Sequence, residues 1–508
     1  MIAAHPILTC TEAKEFEASW FAGDEECEWA AMQQAGGAVA DAVVRDFEEI
    51  GGFPQAGFIL VLVGKGRNGG DALIAARRMA DRYPQAHIEV RFVFGERSLC
   101  PLTVRAWQAL APLAASVNGW CAAGYDLVLD GIFGFQFRPP LDSKTAAILK
   151  EVNALPIRLR AAVDLPTGLD DEAAFRADFS YATGIVKSPL LTLPNAGRIR
   201  YLDLGFFASS RTMSGGLSAP VKRDRKIACP KATDLVISST VLDPLRALRR
   251  SHSDKFTFGH LFIVGGSLRY PGAVLMSVLA ALRSGAGLVT AFVPQSLVAA
   301  FAARAPEAMW VGWPETQEGG LALMGLPLLQ NRLDRATALL VGPGFGREPE
   351  SVALAKEIIG RSPVPVVIDA DALRPEIVRA GRVSRVLLPH AGEFERIGGG
   401  AEILPFCKQT GAVTVLKGPF TRISDGRSVY HSFFGGPVLA RGGSGDMLAG
   451  LTGGLVAQTP QDLLGAACRG AVWHGQAADA LARLHGQVAV HTAQLIDFFP
   501  AVLRDARS

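Results

Sequence analysis

The sequence predicts an α/β protein made of two successive domains. Three observations carry that prediction. Apolar runs of strand length alternate with stretches of helical period in both halves, several runs end in glycine or aspartate, and a segment of different composition divides the halves. In order, 25–47 reads as a helix, with small and apolar residues at 3.6-residue spacing. Residues 57–63 (GFILVLV) form a near-continuous apolar run before Gly64, the pattern of a central parallel strand covered on both faces. Residues 71–82 read as helix, 87–94 as strand, 104–115 as helix, 125–130 as strand and 161–164 as a short strand, with 201–205 a last apolar segment. Residues 209–233 are rich in Ser, Gly, Pro and Lys/Arg without a sustained apolar period and read as a linker, the charge run 222–226 as its solvated part. Alternation resumes with 261–264, a helix over 272–284 turning at Gly285 and Gly287 into strand 288–293, strands 339–341, 364–369, 386–388 and 413–416, and an Ala-rich helical region from Asp446 onward.

At roughly 150 residues per domain, 508 residues suggest about three domains, and two of about 250 are equally admissible for open α/β folds. A hydrophobic fraction of 49%, a charged fraction of 19% and 55 glycines describe a globular chain rather than a disordered or fibrous one. With 51 Lys+Arg against 48 Asp+Glu, the net charge of +3 leaves no basic footprint for nucleic acid and no polybasic membrane patch. Seven cysteines, never in a C-x-x-C pair, argue against a disulfide framework or a zinc site and favour a reducing compartment. The first residues lack a basic start and soon meet Glu12, Lys14, Glu15 and Glu17, unlike a signal peptide, while the apolar stretch 272–294 is broken by Arg283 and glycines. A cytoplasmic protein is expected.

The loop Gly64-Lys-Gly66-Arg-Asn68-Gly69-Gly70-Asp71 follows a strand and opens a helix. Its G-x-G-x-x-G spacing suits a pyrophosphate on backbone N–H groups, or a glycine turn that merely lets helix and strand pack closely. A redox dinucleotide site wants an acidic residue about 20 residues on. Glu96 arrives late, so a nicotinamide dehydrogenase is not favoured. Asp130 and the pair Asp164 and Thr167 stand at the ends of two further strands. Three strand-end loops thus bring oxygen ligands suited to a hard cation, and a carboxylate able to move a proton, to one crevice.

These three loops, Gly66–Asp71, Asp130-Gly-Ile-Phe-Gly-Phe-Gln-Phe-Arg138 and Val163-Asp-Leu-Pro-Thr-Gly168, resemble the motifs of the NAD(P)H-hydrate epimerase family. The resemblance implies a Rossmann-like three-layer sandwich over 1–215. It implies that Asn68, Asp130 and Thr167 hold potassium and that Asp164 contacts substrate; we take Asp164 as the acid/base group. It also implies substrate contacts from Arg67, Asn68, Gly69, Gly70 and Asp71 and from Gly134, Phe135, Gln136, Phe137, Arg138, Pro139 and Pro140. Arg67 stands where the family has asparagine, and Phe135-Gln-Phe137 replaces a small Thr-Gly.

In the second half, Gly442-Gly-Ser-Gly445-Asp446 sets glycines at a helix start with a carboxylate in its first turn. Convergent N–H groups there stabilise charge on a phosphoryl oxygen, and Asp446 beside them suits a base, the alternative being a helix cap. Lys417 and Thr421 follow a strand and suit nucleotide phosphates. His390 reads equally as a substrate contact or a loop histidine, and 368–371 ends a strand in Asp369 and Asp371. Together with Gly265-Gly-Ser267, Gly272-Ala273 and Val341-Gly-Pro-Gly-Phe-Gly346, these motifs resemble the NAD(P)H-hydrate dehydratase family of ribokinase-like α/β fold, over 246–508, leaving 216–245 as linker. Ser444 replaces the usual threonine, and Asp254 stands where the family has histidine.

That second resemblance implies that Ala273, Gly346, His390 and Asp446 meet the hydrated nicotinamide nucleotide, and that Lys417, Gly418, Pro419, Phe420, Thr421 and Gly445 meet ADP or ATP, with magnesium. The two resemblances together imply a bifunctional repair enzyme for small molecules, hydrated NADH and NADPH, with no nucleic acid or membrane partner; a homo-oligomer is expected. The alternative is a small-molecule kinase of the same fold carrying a non-catalytic nucleotide-binding module.

Overall fold

The computed structural model describes residues 2–207 and 230–504. They form two compact units, one of His5–Ala232 and one of Thr233–Ser508 with the residues through Ala4.

The N-terminal unit holds a seven-stranded sheet, parallel throughout, in the order Ala114–Ser116, His87–Phe92, Phe58–Val63, Tyr125–Gly131, Ile157–Val163, Phe179–Thr183, Arg198–Leu202. Strand residues alternate between two faces. Ile59, Val61 and Val63 pack with Val39, Val43, Leu73 and Ala76 of two helices, Glu25–Glu48 and Arg67–Arg82. Leu60 and Leu62 pack on the other face with Ile148, Leu149 and Val152 of helix Ser143–Ala154. Hence the strand lacks polar residues: both faces are covered.

Several expected boundaries move. The helix expected over 104–115 is Pro101–Leu110, followed by a 3-10 turn and the edge strand Ala114–Ser116. Pro101 suits a first helical turn, and Pro112 cannot continue the helix. The glycine-loop helix begins at Arg67 rather than 71, and the short strand 161–164 is Ile157–Val163, leaving Asp164 just beyond it.

The C-terminal unit has ten strands in the order Met309–Trp313, Leu288–Pro294, His260–Val264, Ala338–Val341, Val366–Ile368, Arg385–Leu387, Val413–Leu416, Thr421–Ser424, Val429–Ser432, Asp234–Ile237. Pairing is parallel except around Thr421–Ser424, which runs against both neighbours. Two cores again flank the sheet, Leu261 and Ile263 in one, Phe262 and Val264 in the other. The Ala-rich region divides into helices Ser444–Gln458, Leu463–His485 and Leu495–Arg504. Of the linker expected over 216–245, residues 216–229 lie outside those described, whereas Asp234–Ile237 is a strand paired with Val429–Ser432. Among the described residues no helix is long and apolar enough to cross a membrane.

Candidate active sites of the two units

In the N-terminal unit the three central strands present their carboxyl ends to a cavity of about 1050 Å³. Arg67, Asn68, Asp71, Gly134, Phe135, Gln136, Phe137, Arg138, Pro140 and Asp164 all line it; Pro139 does not. Gly69 and Gly70 are buried behind the wall, where a Cβ would fall 2.9 Å from the Gly64 carbonyl oxygen and 2.2 Å from the Met32 methyl. Both glycines therefore serve close packing.

Beneath the cavity, Asp130 is fully buried. Its carboxylate accepts bonds from the Thr167 hydroxyl (2.7 Å), the Thr167 amide (2.8 Å) and the Ile132 amide (3.2 Å). Burial pushes Asp130 up to about 6, and the bonds from Thr167 pull the other way. The Phe133 amide donates to the Thr167 hydroxyl at 3.1 Å. Asn68, in the first turn of helix Arg67–Arg82, has its side-chain Nδ2 buried without a partner. A Cβ at Gly134 would lie 3.4 Å from Asn68 Oδ1 and 3.3 Å from Asp164 Oδ2, so the bare backbone of Gly134 meets both groups. A carboxylate, a hydroxyl and an amide oxygen with an orphaned neighbour fit a large, hard monovalent cation.

Asp164 sits at φ +67, a conformation costly for a residue with a side chain and characteristic of functional positions. Its Oδ1 lies 2.5 Å from Nζ of Lys187, which is buried from the strand Val186–Lys187 and rests 4.9 Å from the Phe135 ring. Burial works against the lysine's charge, but Asp164 and Glu17 outweigh it and raise its pKa. Burial pushes Glu17, on helix Cys10–Phe21, up to about 7, and raises Asp71 well above the carboxylate range with its Oδ1 unpartnered. Arg67 forms an ion pair with Glu28, and Phe133 stacks on Phe137 at 5.0 Å. Sequence reasoning missed Glu17 and Lys187. Lys187 had one signal, a lysine inside the apolar run Gly184-Ile-Val-Lys187; Glu17 had none.

In the C-terminal unit four neighbouring strands, Ala338–Val341 to Val413–Leu416, deliver the charged groups. Asp369, buried, accepts from Lys417 Nζ at 2.9 Å, and Glu393 lies 4.0 Å from the same nitrogen. Burial opposes the Lys417 charge, and Asp369, Glu393 and Asp446 hold it on, raising its pKa. A Cβ at Gly445 would stand 3.2 Å from that ammonium, so glycine lets the helix start lie against it. Asp371 accepts from the Gly346 amide at 3.1 Å, and a Cβ at Gly344 would touch Ala273 Cβ at 3.2 Å, bringing those predicted contacts to one edge.

Gly443, at φ +89, is the N-cap of helix Ser444–Gln458, with no side-chain capping bond. Asp446 is thus not a cap. It sits half-buried in the first turn, its backbone carbonyl held by the Ser277 hydroxyl at 2.9 Å. Burial, then Asp369, push its carboxyl up to about 6, Lys417 opposing. His474 behind the loop bonds the Ser444 backbone and is pushed down to about 4 by burial and then Lys417, a neutral brace that sequence reasoning missed. His390 caps helix Ala391–Arg396, its Nδ1 accepting from the Gly392 amide (3.1 Å) and Glu393 amide (3.3 Å), while its side chain stays 61% exposed. The histidine is a local helix cap whose Nε2 lies 3.5 Å from Glu393 Oε1. Lys417, Gly418, Pro419, Phe420 and Thr421 form the turn into strand Thr421–Ser424, with the Phe420 ring 5.6 Å from that of Phe433.

Each unit therefore brings a lysine–carboxylate pair and a further carboxyl together beside the carboxyl ends of parallel strands, an arrangement suited to small-molecule chemistry in a fused α/β protein. Residues 261–501 match the family model described as NAD(P)H-hydrate dehydratase, and 29–188 match that of the YjeF-related protein N-terminus. The bifunctional NAD(P)H-hydrate repair enzyme Nnr of Moorella thermoacetica is 31% identical, covering 93% of this chain and 92% of its own. That of Gloeobacter violaceus is 33% identical over 97% of both chains. A solved structure of an ADP/ATP-dependent NAD(P)H-hydrate dehydratase from Bacillus subtilis, co-crystallised with ATP/Mg2+, is 26% identical, covering 52% of this chain and 96% of that one at a TM-score of 0.45. The chain belongs to the bifunctional NAD(P)H-hydrate repair enzyme family. Full-length relatives of that kind favour repair over the small-molecule kinase alternative.

Proposed function

We propose that this chain repairs hydrated NADH and NADPH, the unit of His5–Ala232 interconverting the R and S hydrates and the unit beginning at Thr233 dehydrating the S form at the expense of ADP. The observation that carries the reading is Asp446, set in the first turn of a glycine-started helix beside Lys417 and Asp369. Hydroxide leaves poorly, and phosphorylation of the C6 hydroxyl makes it a good leaving group. Asp446 takes the hydroxyl proton, and the N–H groups of the helix start stabilise the transferred phosphoryl group. Lys417, with Gly418 to Thr421 and Gly445, holds the adenine nucleotide, while Ala273, Gly346 and His390 meet the nicotinamide nucleotide. Phosphate then leaves with the C6–O electron pair as the ring nitrogen pushes, and loss of the C5 proton restores the dihydropyridine. Magnesium, when bound, neutralises phosphate charge.

In the N-terminal unit Asp164 is the acid/base group. Asn68, Asp130 and Thr167 would hold potassium, which would supply positive charge to the site. Arg67, Asn68 and Asp71, with Gly134 to Arg138 and Pro140, contact substrate. The enzyme is proposed to work in the cytoplasm as a homo-oligomer, without nucleic acid or membrane partner, in keeping with its near-balanced charge. The test feeds a mixture of R and S hydrate to the whole chain with ADP, the rate of spontaneous epimerisation subtracted. Complete conversion to reduced nucleotide with release of free phosphate is expected. A stable phosphorylated product, or conversion that stops at the S fraction, contradicts the reading.

A further inference from the structure

The roles above leave several titratable side chains of the N-terminal cavity without a part, Glu17 among them. We propose that Glu17 is a second catalytic residue of the epimerisation, exchanging protons with the C6 hydroxyl in partnership with Asp164. The proposal rests on the epimerase reading of this cavity.

Glu17 and Asp164 line the same cavity although 147 positions separate them by number (164 − 17). One comes from helix Cys10–Phe21, the other from the left-handed position after strand Ile157–Val163. Their environments differ in kind. Asp164 is anchored by the buried Lys187 ammonium at 2.5 Å. Glu17 has no hydrogen-bonded cation. The charged groups facing it are Lys187, Asp164, Arg67, Glu28 and Asp71, from the strand Val186–Lys187, the end of strand Ile157–Val163 and two helices. Burial dominates there and pushes it up to about 7, so it can hold a proton near neutral pH. A buried carboxyl without an ion pair and a carboxylate paired with a lysine in the same cavity can divide into an acid and a base.

The chemistry balances with these two groups alone. Protonated Glu17 gives its proton to the C6 hydroxyl; the C6–O bond breaks, its electron pair leaving on oxygen as water, and the ring nitrogen's lone pair forms the N1–C6 double bond. A water molecule adds to the opposite face of C6, its oxygen pair making the new bond, and its surplus proton passes to the Asp164 carboxylate. The electrons of the N1–C6 double bond return to nitrogen. One proton has moved from Glu17 to Asp164, and exchange with solvent water between turnovers returns each group to its starting state.

The test uses the full chain without adenine nucleotide, starting from pure R hydrate and following the R and S forms chromatographically. Glu17→Gln keeps the shape and removes the proton. It is expected to lower kcat for epimerisation about a hundredfold or more with KM within threefold, and to abolish an alkaline limb near pH 7 in the parent's pH–rate profile; Glu17→Asp should restore part of the rate. An unchanged calorimetric transition of the unit of His5–Ala232 reports that the variant is folded. An E17Q rate within threefold of the parent, or a slowed enzyme whose alkaline limb persists, overturns the proposal. A parent chain that does not interconvert the hydrates above the buffer rate overturns the epimerase reading itself, and the proposal with it.

Discussion

Asp446 must be ionised to act as a base, yet it sits among Asp369, Asp371 and Glu393, with the Lys417 ammonium as the opposing charge. The balance leaves its carboxyl near 6, close enough to neutrality for effective proton transfer. The sign of the pH dependence follows. A raised carboxylate loses its charge as pH falls through its own pKa, so dehydration should hold a plateau above neutrality and fall about tenfold per pH unit below about 6. A pH–kcat profile with S hydrate and ADP checks this; an acidic limb below pH 4 would mean that another group carries the proton. At this scale the sequence shows Asp446 but not its neighbourhood. Asp369 and Lys417 are 48 residues apart and pair only because strands Val366–Ile368 and Val413–Leu416 flank a common neighbour. Lys187 had only its apolar run as a signal, and Glu17, on helix Cys10–Phe21, had none.

Helix Ser444–Gln458 aims Asp446, and its aim depends on a close approach to helix Pro271–Arg283. A Cβ at Gly450 would fall 2.0 Å from the Ser277 carbonyl oxygen, and Ser277 in turn holds the Asp446 carbonyl. Gly450→Ala should therefore cost about 1–3 kcal/mol of stability by denaturant midpoint and lower the dehydration rate, because overpacking parts the two helices. An unchanged midpoint would show that the interface yields freely. The central strands and this helix were legible because burial on both faces strips polar residues from strands such as Phe58–Val63, and because glycines gather where backbones meet. Edge and late strands were not. Ala114–Ser116 has no apolar pattern, and Val186–Lys187 and Asp234–Ile237 are too short to show a period. Their pairing is a property of the sheet, not of the segment.

The whole molecule is two units, each with its own cores and its own site. A ligand that binds one folded unit stabilises that unit by mass action, about 2.7 kcal/mol at a hundred times Kd. ADP should accordingly raise one of two calorimetric transitions and leave the other in place; a shift of both by equal amounts would mean that the units unfold as one. The most direct test of the account as a whole supplies pure S hydrate and ADP, so that epimerisation is not needed, and compares the parent chain with Asp446→Asn by the return of reduced-nicotinamide absorbance. The account predicts rapid recovery by the parent and a loss of about a hundredfold or more in the variant, with ADP binding retained. Recovery by the variant at the parent's rate would contradict it.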